Sequence, residues 1–267
     1  YIHAAAALGP HGDTAGAERR PLHGDPPPLE LKELVKTAVG VPLRQASHLV
    51  ELAAIGSQLC LRRLPHPAPE DTAVYLGTGL AEVRKNEAVF RQVMPPGPGL
   101  ASPFDFINAA NNMAAFYVAK LGNLRARNLT VTQEEFSFEW ALHLAAADLR
   151  AGEYRQALVG GVDENSRPRA GHLRRLALRD DQPMGEGSGW LALSVDAGQA
   201  CGELLEAQHA VRSMDTAQAL HATRSTWQQP GEPLTLLPGL RIEPGEIQHL
   251  AQALPDLRVQ DYLGFCG

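Results

Sequence analysis

Cysteine is scarce in this sequence, and its scarcity argues against cysteine-based metal sites and disulfides. The 267 residues include three cysteines, Cys60, Cys201 and Cys266, which lie far apart and form no Cys-x-x-Cys pair. This spacing argues against a zinc site or a disulfide framework and fits a reducing compartment. We therefore expect a cytoplasmic protein that needs no metal and no other cofactor.

Long apolar runs and basic tracts are also missing. No apolar run approaches the ~18 residues needed to span a bilayer. The opening stretch "YIHAAAALGPHG" is short and has no basic flank before it, so we interpret it as a strand and turn rather than a signal peptide. The net charge is −6 and the pI is near 5.9. These features favour neither a membrane nor a nucleic-acid partner.

The sequence does contain an alternation of strand and helix patterns. Strands are predicted at 72–80, 155–164 and 185–196, and helices at 43–63, 81–94 and 104–122, the last closed by Gly122. Such alternation with buried strands predicts a layered α/β fold. Strand and helix patterns are fewer and weaker after about residue 200. We therefore expect a larger N-terminal half over residues 1–200 and a smaller C-terminal half over residues 201–267.

The stretch "TVTQEEFSFEWALHLAAADLRAG" (130–152) predicts a strand that runs directly into a helix. The helix is apolar on nearly every side, which is typical of a buried helix. Two adjacent carboxylates, Glu134 and Glu135, open it. The unpaired N–H groups and the dipole of a helix N-terminus stabilise a carboxylate by ~0.3–1 kcal/mol.

Glu135, Glu139 and His143 recur every four residues and therefore share one helix face. A functional interpretation would make them a proton relay or a metal half-site, but two carboxylates and one histidine on one helix, without convergent ligands elsewhere, are a weak metal signal. The alternative is a hydrogen-bonded polar stripe that faces a partner or a water-filled cavity.

Four stretches occur in a characteristic order: "YLGTGLAE", "PFDFINAANNMAAFYVAKLG", "NLTVTQEEFSFEWALHLAAADLRAGEYRQALVGGVDE" and "PMGEGSGWLALS". Together they resemble the β-ketoacyl synthase family. The resemblance covers roughly residues 1–200. It implies the thiolase-like layered αβαβα fold, here with a shortened C-terminal half.

The catalytic groups of active family members are missing. In those members the strand similar to "LTVT" leads to a cysteine nucleophile at the mouth of a helix, where the dipole lowers the pKa of the thiol. The resemblance places Glu135 at this cysteine position, and a one-residue shift upstream would place Glu134 there instead. Phe265 stands at a catalytic-histidine position. The resemblance therefore implies no catalytic residue in this chain.

One branch of the family has lost the cysteine: the chain-length factor of bacterial type II polyketide synthases. This chain is similar to that branch, and its shortness resembles the subunit of the aryl polyene pathway. The implied partners are an active ketosynthase, in a heterodimer, and an acyl carrier protein reached through the complex. Two alternatives remain open: a malonyl-carrier decarboxylase that uses Glu135, and a scaffold that only stabilises the ketosynthase.

The resemblance also implies which residues shape the acyl tunnel. Phe104, Met113, Phe116 and Tyr117 are expected to line it and to limit chain length. The alternative is that they belong to a helix core, because the last three follow i, i+3, i+4 spacing.

Dimers of the family pair the strand that precedes the nucleophile across a two-fold axis. Here that strand carries Leu129 and Val131, and left unpaired it would be an aggregation-prone edge. Asn108 and Asn112 are expected to satisfy backbone groups at the same interface.

Overall fold

A mixed six-stranded sheet forms the centre of the chain in a computed structural model. The residues that the structure describes are 1–13, 21–97, 99–165, 170–171, 174, 183–207, 234–239, 242, 244–254 and 256–260. The strands of this sheet are β1 (Ile2–Gly9), β2 (Gly12–Asp13), β3 (Ala73–Gly77), β4 (Asn128–Val131), β5 (Gln156–Asp163) and β6 (Gly187–Ser194). They lie side by side in the order β2-β1-β6-β5-β3-β4. β3 runs parallel to β4 and β5, and the other pairs are antiparallel.

Helices cover both faces of this sheet. The helices of this part of the chain are α1 (Leu31–Leu34), which continues into a π-helical turn (Val35–Val39), α2 (His48–Leu61), α3 (Val83–Val93), α4 (Pro103–Asn108), α5 (Met113–Gly122) and α6 (Ser137–Ala151). Of these, α1, α2, α5 and α6 pack on the sheet. One hydrophobic core lies between the sheet and α1, α2 and α5, and the second lies between the sheet and α6. The predicted layered α/β fold is confirmed.

The first core is centred on Trp190, which is 2 % exposed. Glycines make room for its ring: a Cβ at Gly160 of β5 would lie 2.3 Å from the ring, and one at Gly56 of α2 would lie 2.9 Å from it. The indole Nε1 donates to Ser188 Oγ at 2.7 Å. The large ring is therefore accommodated because the neighbouring strand and helix carry no side chain there.

The second core joins α6 to the sheet through small residues. Ala141 and Ala145 pack against strand residues that include Tyr75. The Tyr75 hydroxyl donates to Asp148 near the C-terminal end of α6, and Arg127 also contacts that carboxylate. Burial, together with the hydrogen bond to Asp148, raises the pKa of the Tyr75 phenol. This network fixes the helix axis relative to β3 and the start of β4.

The expectation that α6 is buried on all sides is wrong. Its buried residues are Ser137, Ala141, Ala145 and Ala146, whereas Glu139 is exposed. The fully buried contact of α6 with the sheet is made by small residues, and Phe138, Leu142, Leu144 and Leu149 pack around it. The larger apolar residues of the helix lie beside that contact and are half-buried.

The predicted single helix at 104–122 is instead two helices, α4 and α5, separated by residues 109–112. The break follows Asn108, whose Nδ2 donates to Phe104 O and to Gln45 O, both at 2.8 Å. An asparagine amide competes with helical hydrogen bonds in this way. α5 ends at Gly122, and the left-handed residue that caps it is Asn123, with φ 52°.

A second, smaller unit comprises residues 20–25, 167–184 and 205–267. Its described elements are β7 (Leu234–Leu236), α7 (Pro244–Ala253) and β8 (Leu257–Val259). β7 and β8 are parallel, with Thr235 opposite Arg258. Leu250 and Leu254 are buried. The first unit comprises residues 1–19, 26–166 and 185–204.

Among the described residues, no helix is both long and apolar enough to cross a membrane. No group of three or more histidine, cysteine or acidic residues in that part of the chain has the geometry to hold a metal ion.

Replacing Gly160 with alanine should lower the free energy of unfolding by about 1–3 kcal/mol, because the new methyl group would overlap the buried Trp190 ring. The matched control is Gly189→Ala on β6, where no atom lies within 4 Å of the added Cβ. Urea unfolding followed by tryptophan fluorescence measures both. Equal midpoints for the two variants would contradict the packing described here.

Candidate functional site

The chain passes from β4 into α6 through a tight turn. Residues Glu134–Phe136 form a 3₁₀ turn, and Glu134 adopts the left-handed φ of 50°, which is uncommon for a residue other than glycine. The buried Ser137 Oγ accepts a hydrogen bond from Gln133 N at 2.8 Å. The same hydroxyl lies 2.7 Å from Glu134 O and 3.1 Å from Thr78 O, to either of which it can donate. Ser137 thus ties the turn to the end of β3.

Glycines at the strand ends bring this turn close to the sheet. A Cβ at Gly77 would lie 2.5 Å from the Ser137 carbonyl, and a Cβ at Gly79 would lie 2.9 Å from the Glu134 carbonyl. The beginning of α6 therefore rests directly on the carboxyl end of β3. Any side chain at Gly77 would push the turn away.

The two carboxylates of the turn differ in exposure. Glu134 is exposed, whereas Glu135 is half-buried and its Oε2 atom is inaccessible to solvent. Both precede Ser137, the first residue of α6, so they lie at the positive end of the helix. The placement of Glu135 at the nucleophile position stays a prediction, and the structure adds that Glu135 is the more buried of the two acids.

Asp163, the last residue of β5, holds the loop that follows β3. Its Oδ1 accepts from Thr78 Oγ1 and from Leu80 N, both at 3.0 Å. Its Oδ2 accepts from Gly79 N at 2.9 Å. The carboxylate therefore accepts hydrogen bonds from two backbone N–H groups and one hydroxyl.

A cluster of buried acids lies beside this loop, in contact with the start of α2. Glu186, 5 % exposed, accepts from His48 Nε2 at 2.7 Å and from the backbone N–H groups of Leu29 and Asn165. The hydrogen bond to Glu186 raises the pKa of His48, with burial opposing it. Burial acts to raise the pKa of Glu186, but the hydrogen bonds from His48 and the backbone outweigh it, so that pKa is lowered. Both shifts favour the ionised form of the pair.

Two further glutamates of the cluster have fewer hydrogen bonds to offset their burial. Glu82 is 0 % exposed, and its Oε1 accepts from Ser47 Oγ at 2.6 Å. Burial raises the pKa of Glu82 to about 7, although the hydrogen bond from Ser47 acts to lower it. Glu164 is 2 % exposed, and Arg84 Nε lies 3.6 Å from its Oε2. Burial raises the pKa of Glu164 too, with the Arg84 charge opposing it.

The predicted tunnel residues divide into two exposed and two packed side chains. Phe104 is 54 % exposed and Phe116 is 47 % exposed. Met113 and Tyr117 are partly buried against the first core. The rings of Phe116 and Tyr117 meet edge to face with centroids 5.7 Å apart. The helix-core alternative thus describes Met113 and Tyr117 in this chain, whereas Phe104 and Phe116 project from it.

The predicted interface residues also differ from one another. Leu129 and Val131 lie on the edge strand β4, half-buried against the second core. Asn112 is exposed at the start of α5. Asn108 is 4 % exposed and bonded within the chain, so its amide supports the loop at Gln45.

Of the residues predicted to share one helix face, Glu139 and His143 lie on α6, whereas Glu135 lies in the 3₁₀ turn before it. Among the described residues, no group of three or more histidine, cysteine or acidic residues has metal-binding geometry. Glu139 is exposed, and the half-buried His143 ring meets the Trp140 ring edge to face at 5.6 Å. Phe265, predicted at a histidine position, lies outside the described residues.

The sequence matches the family described as "Beta-ketoacyl synthase, N-terminal domain" over residues 45–183. This match spans more than half of the chain. The chain belongs to the β-ketoacyl synthase family. The matched segment contains α2, the β4–α6 turn and Asp163. A search of curated protein sequences returns no significant match.

Solved structures of the same family share the fold at low sequence identity. The ishigamide ketosynthase/chain length factor superposes with a TM-score of 0.70 at 21 % identity, covering 95 % of this chain and 81 % of that one. A ketosynthase in complex with its chain length factor from Xenorhabdus doucetiae gives 0.55 at 16 % identity, covering 74 % and 79 %. A type II polyketide synthase acyl-carrier protein in complex with its ketosynthase bound to the hexaketide gives 0.73 at 13 % identity, covering 100 % and 87 %. The layered α/β fold of ketosynthases is therefore established for this chain.

Sequence reasoning missed the acid cluster and the role of Asp163. A signal was present, because Glu82 follows one predicted strand, Asp163 and Glu164 end a second, and Glu186 lies at the start of a third. Side chains at neighbouring strand ends meet at one edge of a sheet. Nothing comparable in the sequence indicated that His48 contacts Glu186, because that contact depends on where α2 begins.

Glu82→Gln should remove a pH-dependent loss of stability. The folded-state pKa of about 7 exceeds the ordinary value of 4.5, so the folded chain retains this proton to higher pH than the unfolded chain. The wild-type free energy of unfolding should therefore fall between pH 4.5 and 7 and level off above, by about 3 kcal/mol in total from this group. Glutamine cannot ionise, so the variant should lack this fall.

Chemical denaturation from pH 4.5 to pH 8 measures the effect, with the exposed Glu87→Gln on α3 as the control. The advantage of Glu82→Gln over wild type should grow as pH rises, while the control stays parallel to wild type. Parallel curves for both variants would show that Glu82 does not retain its proton in the folded chain.

Proposed function

We propose that this chain is the non-catalytic, chain-length-determining subunit of a cytoplasmic β-ketoacyl-carrier-protein synthase heterodimer. An active ketosynthase supplies the condensation chemistry, and the acyl carrier protein is reached through the complex. The observation that carries the proposal is the β4–α6 turn. On a ketosynthase scaffold, this turn presents Glu134 and Glu135 and has neither cysteine nor histidine between Thr132 and Ser137.

The described cysteines do not replace a nucleophile at this turn. Cys60 is buried within α2, and burial raises its pKa to about 12, so at neutral pH it is an unreactive thiol. Cys201 is exposed, lies after β6, and its Sγ contacts Ile2 O at 3.3 Å.

The sheet edge supports a partner. β4 occupies the end of the strand order, and its four residues pair with β3 on one side. Among the described residues, no strand pairs with its other side, and an open edge of this kind is a template for another strand. Antiparallel pairing with the matching strand of a ketosynthase would complete the ladder.

The exposed aromatic residues support a role in a shared tunnel. Phe104 and Phe116 expose about half of their surface, so a partner's cavity can receive them. Met113 and Tyr117 are held by the core and would act by supporting Phe116. We therefore assign the length stop first to Phe116.

Two of the structures with this fold are ketosynthase and chain length factor pairs, and a third is a ketosynthase with its carrier protein. Those descriptions concern those proteins, and they favour the same kind of assembly here. The narrower proposal, an aryl polyene product, is supported by the sequence resemblance alone.

Co-expression with the ketosynthase encoded nearest to this chain should yield a stable complex whose products change with the size of residue 116. Phe116→Ala should lengthen the main product by at least one extension unit, because it removes a ring from the end of the tunnel, and Phe116→Trp should shorten it. Mass spectrometry of carrier-bound products measures both, with the exposed Val41→Ala as control. Failure to form any complex would contradict the proposal, and an unchanged product length would instead support a pure scaffold.

Glu135→Ala should leave carbon dioxide release unchanged when the complex, with its ketosynthase cysteine replaced by alanine, is incubated with malonyl-carrier protein. The reason is that a silent subunit contributes no base to decarboxylation. Release that falls to the uncatalysed rate in Glu135→Ala would establish the rival function, a malonyl-carrier decarboxylase. Size-exclusion chromatography of the variant complex controls for loss of assembly.

A further inference from the structure

Polar side chains join the two helices of the α3–α4 hairpin, which spans residues 83–108 apart from position 98. The Asp105 carboxylate of α4 accepts hydrogen bonds from two side chains of α3, Lys85 Nζ at 2.9 Å and Gln92 Nε2 at 2.8 Å. Gln92 Oε1 in turn accepts from Ser102 N. The hydrogen bonds from Gln92 and Lys85 lower the pKa of Asp105. A carboxylate and an ammonium group therefore hold these two helices together, where apolar residues would normally do so.

The outer face of the hairpin is apolar. We define the outer face as its exposed large apolar side chains: Phe90, Val93, Met94, Leu100, Phe104, Phe106 and Ile107. Leu100 is 79 % exposed, Phe106 is 68 % exposed and Phe90 is 63 % exposed. No residue of α3 is buried. This arrangement is the reverse of an ordinary surface hairpin, which turns its apolar side inward.

The size of the outer face is close to that of one side of a protein interface. Its exposed apolar area is on the order of 700 Å², from the fractional exposures and the ~150–250 Å² that large side chains bury. A standard interface buries ~800 Å² on each partner, and contiguous apolar patches of several hundred Å² mark interaction sites. The four-residue edge strand β4 is too small to supply such an area by itself.

We infer that the outer face of the α3–α4 hairpin inserts into an apolar groove on the ketosynthase partner and supplies most of the binding energy of the heterodimer. This inference rests on the proposed function, and it adds Phe90, Val93, Met94 and Leu100 of α3 and the following loop to the residues expected at the interface. The hairpin leads through residues 109–112 into α5, so the outer face and Phe116 belong to consecutive segments of the chain.

The chemistry of the outer face specifies the groove. The exposed charges beside it on α3, Arg91 and Glu87, are paired with each other at 3.7 Å. The centres of protein interfaces are depleted of charge and enriched in phenylalanine and methionine. The partner should therefore present a concave, uncharged groove.

The double variant Phe90→Asp/Met94→Asp should weaken the heterodimer by at least tenfold in Kd, because it places charges at the centre of an apolar contact. Isothermal titration calorimetry against the ketosynthase encoded nearest to this chain measures the constant. The matched control is Val41→Asp, an equally exposed apolar residue outside the hairpin. Circular dichroism and thermal melting of the isolated variants should match wild type, because all three positions are exposed. Hydrogen exchange should also show residues 83–97 protected in the complex.

Leu129→Asp on β4 separates the inference from the proposed function. If Leu129→Asp weakens the complex while the hairpin variant binds like wild type, the hairpin inference is overturned and the heterodimer stands. If wild type binds no ketosynthase, the proposed function fails and the inference fails with it. If the hairpin variant abolishes self-association of the chain but leaves ketosynthase affinity unchanged, the outer face pairs copies of this chain and the inference is wrong.

Discussion

The close approach of helices to one six-stranded sheet is the contact on which the rest of this structure depends. That approach requires residues without side chains at defined points: Gly56 and Gly160 around the Trp190 ring, and Gly77 beneath the start of α6. Because α6 begins directly on the end of β3, the preceding turn has little freedom. Ser137 then fixes that turn through hydrogen bonds to both of its sides. The position of Glu135 thus follows from packing several residues away.

Carboxylates gather at the edge of the sheet where β3 and β5 end and β6 begins. Asp163 takes up the backbone N–H groups of the loop after β3, and Glu82, Glu164 and Glu186 are buried next to that loop. Burial raises the pKa of Glu82 and Glu164, whereas the hydrogen bonds from His48 and the backbone lower the pKa of Glu186.

Polar and apolar surfaces are distributed in a way that suits an assembly. The interior of the α3–α4 hairpin is held by Asp105, Lys85 and Gln92, which leaves its apolar residues outside. Within the part of the chain that the structure describes, β4 pairs on one side only and ends the sheet. Proteins usually cover sheet edges and large apolar surfaces of this kind. Both fall within the same compact unit.

The sequence by itself determined the layered fold, the family and the strand-to-helix turn with its two acids. These are local or strongly periodic features: the buried strand at 72–80 and the helix at 43–63 appear as β3 and α2 nearly where the pattern predicts them. It did not determine the break between α4 and α5, since that break depends on the Asn108 amide reaching Gln45, 63 positions away in the chain.

Only the tertiary structure decided which of the predicted aromatic residues project and which acids lose contact with water. Met113 and Phe116 are equally apolar in a sequence, but one packs against the core and the other does not. Glu82 and Glu164 are ordinary acids in a sequence, and their raised pKa values come from burial. The physical reason is the same in both cases: the solvent exposure of a side chain is set by residues distant in the chain, and the local sequence pattern does not identify those residues.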